Sequence, residues 1–221
     1  MNSMLERSTS GRLVIANDDV GDCNSCGVER EVPYLCGACG VLTREPGRLD
    51  HFARLGLPRT FTLDKQQLED AHLKLSKLLH PDRRVREGSA VQAKALVLSA
   101  RLNEAYKVLS DDIARAEHLL ALAGGPSADE DKTTPPGFLM EQLELREAAE
   151  EAEGDAEALQ ALLAKVKPAA EAGRARVAAM LTGSCFPTKD LCADLRVELN
   201  ALRYWNSLTA ELEEKLAALS A

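Results

Sequence analysis

The sequence predicts an all-α protein in which a helical hairpin and a C-terminal three-helix bundle follow a short cysteine-rich segment. Three observations support this fold class. Aromatic residues make up only 4% of the 221 residues while Ala, Leu and Glu dominate, which favours helices over a β-sandwich or barrel. Apolar residues recur every three or four positions through most of residues 48–219. Stretches rich in proline and glycine separate these periodic segments from one another.

Composition also restricts the classes of function. Hydrophobic residues make up 45% of the chain, enough for a substantial core. The formal net charge of −8 argues against nucleic-acid binding, which usually needs a basic surface. No apolar run approaches the roughly 18 residues that cross a bilayer, so we expect no membrane contact. The N-terminus has no apolar signal-peptide region and carries several acids, so we expect a cytoplasmic protein, with the mitochondrial matrix as the alternative.

The N-terminal segment, residues 1–47, contains a candidate metal site at about residues 20–42. Its ligands would be two C-x2-C pairs, each followed by glycine: Cys23, Cys26, Cys36 and Cys39. Two tight turns that each present two thiolates are typical of a tetrahedral zinc site, so we expect a small zinc-knuckle segment with one structural zinc ion per chain. Iron in a rubredoxin-like site fits the same spacing, and two disulfides or four buried thiols are less favoured alternatives. A segment this short has no core of its own, so zinc would contribute roughly 10–16 kcal/mol to its folding.

The middle region, residues 48–122, begins with an amphipathic helix. Its core-facing stripe consists of Leu68, Ala71, His72, Leu75 and Leu79. Lys74 and Lys77 lie on the exposed side. This helix should end near Leu79, because Pro81 lacks a backbone N–H and disfavours the α conformation at His80.

A second long helix follows this corner, with Leu98, Leu102, Ala105 and Leu109 in register. A short third helix then begins in "SDDIARAEHLLAL", with Ser110 or Asp111 as its N-cap. The corner therefore joins two antiparallel amphipathic helices. Taken alone, His80-Pro81-Asp82 fits a simple helix stop with a solvated acid.

Together, the first helix, His80-Pro81-Asp82 and the long helix closing in "NEAYKVLSD" resemble a J-domain, the module by which co-chaperones engage DnaK-type ATPases. The resemblance implies that Pro81 fixes the corner while His80 and Asp82 project towards the ATPase domain of the partner. It also implies that the basic helix face makes part of the contact. The implied chaperone-binding residues are His80, Pro81, Asp82, Lys74 and Lys77.

The C-terminal region starts with a linker, residues 123–137, and continues as a helical bundle over residues 138–221. On a helical wheel, "FLMEQLELREAAEEAE" places Phe138, Leu145, Ala149 and Ala152 on one face. The roughly opposite face carries Leu139, Met140 and Leu143, mixed with Glu144, Glu147 and Glu151. Either several helices surround this helix, or the second face is an exposed apolar patch that marks a partner site.

Two further helices are expected at about 156–181 and 188–219. Pro168 should kink the first of them or mark its restart. In the last helix a leucine stripe runs through Leu195, Leu199, Leu202, Leu212 and Leu216, and Tyr204 points roughly opposite it. Cys185 and Cys192 are interpreted as buried structural cysteines.

The segments "RAEHLLAL", "FLMEQLELRE" and "LRYW", with the later "LEEKL", resemble HscB-type co-chaperones of iron–sulfur cluster assembly. His118 stands where that family has an aromatic residue, and the four-cysteine N-terminus resembles the extension of eukaryotic members. The resemblance implies that the first bundle helix and an aromatic on the last one hold an IscU-type scaffold. The implied scaffold-binding residues are Leu139, Met140, Leu143, Glu144, Glu147, Glu151 and Tyr204.

We therefore expect a non-enzymatic co-chaperone that delivers an IscU-type scaffold to a DnaK/HscA-type chaperone and stimulates its ATPase. A general DnaJ-class folding co-chaperone is the alternative, although no Gly/Phe-rich region or multi-zinc domain is present. A redox or hydrolytic enzyme built on the cysteines is less favoured, because four thiolates leave no open metal position for water. The chain has no P-loop sequence, so it should not hydrolyse ATP itself.

Overall fold

The computed structural model describes residues 21–43, 49–182 and 189–220. Cys185, together with residues 1–20 and 44–47 of the expected N-terminal segment, lies outside this described part. The helices of the described chain are α1 His51–Leu55, α2 Lys65–Leu79, a 3-10 helix Pro81–Glu87, α3 Ser89–Ser110, α4 Asp112–Leu122, α5 Phe138–Glu151, α6 Ala156–Leu181 and α7 Lys189–Leu219. The predicted all-α fold class is confirmed. The chain divides into two compact units, of which the first ends at Asp111 and the second begins at Asp112.

None of the helices in the described ranges combines the length and apolar character that a membrane span requires.

The predicted helical hairpin is formed by α2 and α3, which pack against each other in the first unit. Helix α2 begins after Asp64, whose carboxylate accepts a hydrogen bond from the Gln67 N–H at 3.0 Å, and it ends at Leu79 as predicted. Its buried residues are Leu68, Leu75 and Leu79, and those of α3 include the whole predicted stripe, Leu98, Leu102, Ala105 and Leu109. The apolar periodicity therefore identified most of the core of the hairpin, while Ala71 and His72 of the predicted α2 stripe are only half-buried.

A 3-10 helix, Pro81–Glu87, connects the two helices of the hairpin. Proline is favoured in the first turn of a helix because its missing N–H would have no intrahelical partner there. The connection ends at Gly88, whose φ of 96° is readily adopted only by glycine. The corner is thus a regular, defined connection.

The four-cysteine segment consists of two turns of the same form. The Cys23 N–H donates to the Val28 carbonyl at 2.9 Å and the Gly27 N–H donates to the Cys23 carbonyl at 2.7 Å. The second turn repeats both bonds thirteen residues later, from Cys36 to Val41 at 3.1 Å and from Gly40 to Cys36 at 2.9 Å. Isolated antiparallel bridges join the residue pairs 22/29, 32/35 and 35/42. Each turn therefore presents its two cysteines in the same way.

This segment packs on α1 within the first unit. Val32, Tyr34 and Leu35 are buried, and the Tyr34 hydroxyl donates a hydrogen bond of 2.6 Å to the Arg54 carbonyl. At Gly56, which ends α1, an added Cβ would lie 3.3 Å from the Glu31 carbonyl oxygen and 3.4 Å from the Val32 side chain. The segment is thus part of the same compact unit as α1, α2 and α3.

Helix α4 belongs to the second unit, where it packs against α6 and α7. Ala116, Leu119 and Leu120 are buried in this contact. The fully buried Arg196 of α7 donates to both carboxylate oxygens of Glu117 at 2.6 and 2.7 Å. Helix α4, which the sequence placed at the end of the predicted J-domain, is therefore held in the second unit by an ion pair and by apolar burial.

The C-terminal bundle consists of α5, α6 and α7. The ion pairs Lys167–Glu213 and Arg176–Glu198 place α6 antiparallel to α7. The core that α5 shares with these helices comprises Phe138, Ala149, Ala152, Leu159, Leu162, Val166, Ala170, Ala201, Trp205, Leu208 and Leu212. Helix α6 is continuous from Ala156 to Leu181, so it does not restart at Pro168. Cys192 is buried, as predicted.

Candidate functional site

The four predicted cysteine ligands come together in one place. Their sulfur atoms all lie within 4.8 Å of one another, and the distances from Cys23 Sγ to Cys39 Sγ and from Cys26 Sγ to Cys36 Sγ are both 3.6 Å. Metal–sulfur bonds of about 2.3 Å in a tetrahedron would place the sulfurs about 3.8 Å apart, whereas a disulfide would place them about 2.05 Å apart. The donor set therefore fits a tetrahedral thiolate site for one metal ion, and all four cysteines are free.

The electrostatics of the four thiols are uneven. Backbone N–H groups, first that of Cys39 and then that of Ala38, contribute to lowering the pKa of Cys36 to about 6. A hydrogen bond from the Ser25 N–H to Cys23 Sγ at 3.4 Å is the main cause that lowers the pKa of Cys23. The Val28 N–H also acts to lower the pKa of Cys26, but the other thiols and desolvation raise it to about 12. The turns thus stabilise the first thiolates, while a full set of four negative sulfurs needs a cation between them.

At the corner between α2 and the 3-10 helix, side chains satisfy the last carbonyls of α2, which have no donors within the helix. Three carbonyls are capped in succession: Lys77 by Arg83 at 3.3 Å, Leu78 by Arg84 at 2.7 Å and Leu79 by Ser99 at 3.3 Å. The buried Arg84 also pairs with Glu87 at 2.9 Å. Arg84 was not predicted from the sequence, although a basic residue shortly after a helix end is a known cap for its carbonyls. These caps hold the corner in a defined shape.

The side chains of His80 and Asp82 are exposed at this corner. The Asp82 N–H donates to His80 Nδ1 at 3.3 Å, and the same nitrogen lies 3.6 Å from Asp82 Oδ2. Their side chains are 58% and 84% exposed, respectively. An imidazole and a carboxylate therefore stand side by side, open to a partner, on a firmly capped turn.

The predicted basic face of α2 is present, but one of its lysines already has a partner. Lys74 and Lys77 are both exposed. Lys74 Nζ lies 2.7 Å from Oε1 and 2.6 Å from Oε2 of Glu31, which belongs to the four-cysteine segment. Sequence periodicity gives no signal for this pair, because the two residues are 43 positions apart and belong to different elements.

The segment also reaches the corner itself. A Cβ added at Gly40, in the second metal-site turn, would lie 3.6 and 3.7 Å from the two terminal guanidinium nitrogens of Arg84. The backbone of this turn therefore lies directly against the arginine that caps α2. Through Glu31 and Gly40, the metal-site segment contacts the hairpin at two points on either side of the end of α2.

The face of α5 that the sequence left unexplained is exposed. Leu139, Met140 and Leu143 are 71%, 63% and 54% exposed, while Phe138 and Ala149 on the other side are buried. The carboxylates predicted around them, those of Glu144, Glu147 and Glu151, lie on exposed residues as well. Of the two interpretations, an exposed apolar patch rimmed with carboxylates is the one the structure matches. We refer to Leu139, Met140 and Leu143 as the α5 patch.

Tyr204 lies on the side of α7 away from Leu195 and Leu199, but α5 covers that side. Its ring is half-buried and makes edge contacts with Phe138 and Trp205, with centroids 5.5 and 5.6 Å away. Its hydroxyl donates to the Gln142 carbonyl of α5 at 2.9 Å, and burial is the main cause that raises the pKa of Tyr204. Tyr204 thus supports α5 directly beside the α5 patch.

Comparisons with known proteins match both halves of the chain. Residues 50–118 match the DnaJ domain, and residues 134–213 match the HSCB C-terminal oligomerisation domain. A co-chaperone protein HscB homolog of Bordetella avium strain 197N is 38% identical over 133 residues, which are 60% of this chain and 79% of that protein. The chain belongs to the HscB co-chaperone family. A second HscB homolog, from Bordetella pertussis, is 40% identical over 54% of this chain and 71% of its own length.

Solved structures of the HscB family have the same fold. Chaperone HscB from Vibrio cholerae is 29% identical and aligns with a TM-score of 0.65 over 77% of this chain and 99% of its own. Human co-chaperone protein HscB aligns with a TM-score of 0.72 over 88% of this chain and 98% of its own, at 24% identity. The resemblance inferred from the sequence is confirmed, and HscB is a family of co-chaperones rather than of enzymes.

Proposed function

We propose that this HscB family member is a non-enzymatic adaptor that brings an IscU-type iron–sulfur scaffold to a DnaK/HscA-type chaperone and stimulates that chaperone's ATPase. One observation carries the proposal: the chain has two exposed surfaces of different chemistry in separate compact units. The first is the polar corner at His80 and Asp82, and the second is the α5 patch. An adaptor needs two such surfaces, and the side chains of both are exposed. We propose that it acts in the cytoplasm, which its similarity to bacterial HscB homologs supports.

The chaperone-binding surface would consist of His80, Pro81, Asp82, Lys74 and Lys77. The Asp82 carboxylate is available to accept hydrogen bonds from a cationic group of the ATPase domain, and the adjacent imidazole offers a second polar contact. Pro81 and the three capped carbonyls of α2 fix this geometry before the partner arrives. Because little conformational entropy is then lost on binding, a small contact can be effective.

The scaffold-binding surface would be the α5 patch with its rim, Glu144, Glu147 and Glu151, supported by Tyr204. Apolar anchors near the centre of an interface usually dominate its affinity, whereas rim charges act mainly on association. Tyr204 would act largely from beneath, because its hydroxyl holds the Gln142 carbonyl in the middle of α5. The surface is thus preformed on one helix and backed by the bundle core.

For the four-cysteine site we propose one structural zinc ion per chain. Four thiolates close a tetrahedral site and leave no position for a substrate or water, which suits a structural ion and not a catalytic one. The ion would add fixed positive charge among the sulfurs and hold the two turns together. Elemental analysis of protein purified without added metal tests this, with near-unit zinc expected and near-unit iron contradicting it.

The experiment that tests the adaptor proposal is a pull-down with tagged full-length chain, followed by identification of the captured proteins. We expect an IscU-type scaffold and a DnaK-type chaperone. Asp82→Asn should lose only the chaperone, and alanine substitution of the α5 patch should lose only the scaffold. Capture of unfolded proteins in general, without a scaffold, would instead support a DnaJ-class folding co-chaperone.

A further inference from the structure

Lys74 is a residue of the proposed chaperone surface that the chain already engages itself. Its ammonium group contacts both carboxylate oxygens of Glu31, at 2.6 and 2.7 Å. The two side chains remain 53% and 42% exposed, so the pair is open to competition from solvent and from a partner. Lys77, one turn away on the same helix, makes no side-chain ion pair among the described residues. The two lysines of the basic face are therefore not equivalent.

Glu31 is held beside Lys74 by the metal-site segment. It lies between the two cysteine turns in sequence, and its neighbour Val32 is buried against Gly56 of α1. Three residues after Glu31, Tyr34 is also held in place, because its hydroxyl donates a hydrogen bond to the Arg54 carbonyl of α1. The position of the Glu31 carboxylate thus depends on the folded state of the four-cysteine segment, which in turn depends on the ion that fits its sulfurs.

We propose that the metal-loaded segment shields Lys74, so that Glu31 competes with the chaperone for this ammonium group and loss of the metal removes the competitor. The proposal rests on the proposed function of the α2 surface as the chaperone contact. It gives the four-cysteine site a role in tuning partner affinity, in addition to its own folding. The chemistry required of the partner is a carboxylate or another hydrogen-bond acceptor facing Lys74.

The size of the effect follows from the exposure of the pair. Half-exposed ion pairs of this kind have a small interaction free energy in water. Removal of the competing Glu31 carboxylate should therefore change chaperone affinity by only about two- to five-fold. Added salt should reduce this change in affinity, because the Debye screening length is about 8 Å at physiological ionic strength. The segment is therefore expected to adjust the interaction without switching it off.

The first arm of the experiment measures shielding without any partner. Lys74 and Lys77 are acetylated with a water-soluble acylating reagent, and their rates are compared by mass spectrometry in the full chain. We expect Glu31→Gln to raise the Lys74 rate relative to Lys77. The matched control, Asp22→Asn, removes the same charge from an exposed position of the same segment and should leave the ratio unchanged. An unchanged ratio in Glu31→Gln would overturn the shielding.

The second arm measures affinity for a purified DnaK-type chaperone with the same three proteins. We expect Glu31→Gln to bind about two- to five-fold more tightly than wild type or Asp22→Asn. Chelation, verified by elemental analysis, should produce the same gain in wild type and none in Glu31→Gln. Weaker binding by Glu31→Gln would overturn the competition and make Glu31 a contact residue. If wild type itself fails to bind, the proposed function fails as well, while the acetylation ratio still decides whether Glu31 shields Lys74.

Discussion

The four-cysteine segment and the C-terminal bundle are stabilised in different ways. Residues 21–43 contain isolated bridges and two turns, and Val32 and Tyr34 contact α1 and its end at Gly56. The bundle has three helices of 14, 26 and 31 residues and a continuous apolar core. The segment therefore relies on docking and on its cluster of four cysteines, whereas the bundle is stabilised by apolar burial and still leaves four large apolar residues of its described part exposed: Leu139, Met140, Leu143 and Leu219.

Exposed groups have a different meaning in these two regions. In the bundle, Leu139, Met140 and Leu143 lie outside the buried cluster, so the α5 patch is a candidate for a partner surface. In the segment, even an exposed carboxylate such as Glu31 forms part of the docking contact. Exposure alone does not separate structure from function. What decides is whether the residue is already paired within the chain.

Metal removal should have the largest effect, and it should be confined to one region. Zinc contributes roughly 10–16 kcal/mol to the folding of small thiolate sites, so chelation should unfold residues 21–43. The amides of helix α1 should also exchange faster, because α1 loses its contact with Tyr34, whose hydroxyl donates to the Arg54 carbonyl. Helices α5–α7 should be unaffected. Hydrogen exchange measured by mass spectrometry before and after chelation checks this, and a metal-free segment that stays protected would contradict it.

Breaking the ion pair between α4 and α7 should have the next largest effect. Arg196 is fully buried against Glu117, so Arg196→Met should cost about 3–5 kcal/mol of unfolding free energy. Arg203 contacts the same carboxylate at 3.0 Å from a half-exposed position, so Arg203→Met should cost about 0–1 kcal/mol. Urea unfolding of the two variants compares them directly. Equal losses would show that burial of the arginine does not set the strength of this contact.

Truncation of the α5 patch should separate stability from binding. The triple substitution of Leu139, Met140 and Leu143 by alanine should shift the melting temperature by only a few degrees, because the side chains are exposed. The control Leu159→Ala, in the core of the same bundle, should cost about 2–5 kcal/mol. The triple variant should instead bind the scaffold at least about tenfold more weakly. A large loss of stability with unchanged scaffold affinity would show that these three residues are part of the structural core and not a binding surface.

The rim carboxylates should have the smallest effect. Substitution of Glu144, Glu147 and Glu151 by glutamine should slow association with the scaffold and flatten its salt dependence, while dissociation stays nearly constant. Stopped-flow association at two ionic strengths measures both quantities. A faster dissociation without any change in association would mean that these carboxylates lie within the contact and not at its edge.

Local patterns in the sequence predicted the parts of the structure that depend on neighbouring residues. The end of α2 at Leu79 followed from the conformational limits of Pro81, and the metal site followed from two paired cysteine turns. Helical periodicity identified the second apolar face of α5 but left two interpretations open, and the structure matches the exposed patch.

Local sequence patterns could not predict contacts between distant parts of the chain. The Glu31–Lys74 pair joins residues 43 positions apart, and Arg196 reaches Glu117 across 79 positions. Helical periodicity placed Tyr204 away from the leucine stripe but could not show that α5 covers it. Such pairings depend on how the elements dock, and a single sequence carries no local signal for them.

The most direct test of the adaptor account titrates the same folded protein with both proposed partners. ATPase stimulation of an HscA-type chaperone, in the absence of scaffold, and scaffold affinity are measured for wild type, Asp82→Asn and the triple alanine variant of the α5 patch. The account predicts that Asp82→Asn abolishes stimulation and keeps scaffold affinity within about twofold, because Asp82 is exposed and lies in the other unit. The triple variant should do the reverse. If either variant kept its fold but reduced ATPase stimulation and scaffold affinity to a similar extent, the two surfaces would not be independent and the adaptor proposal would be contradicted.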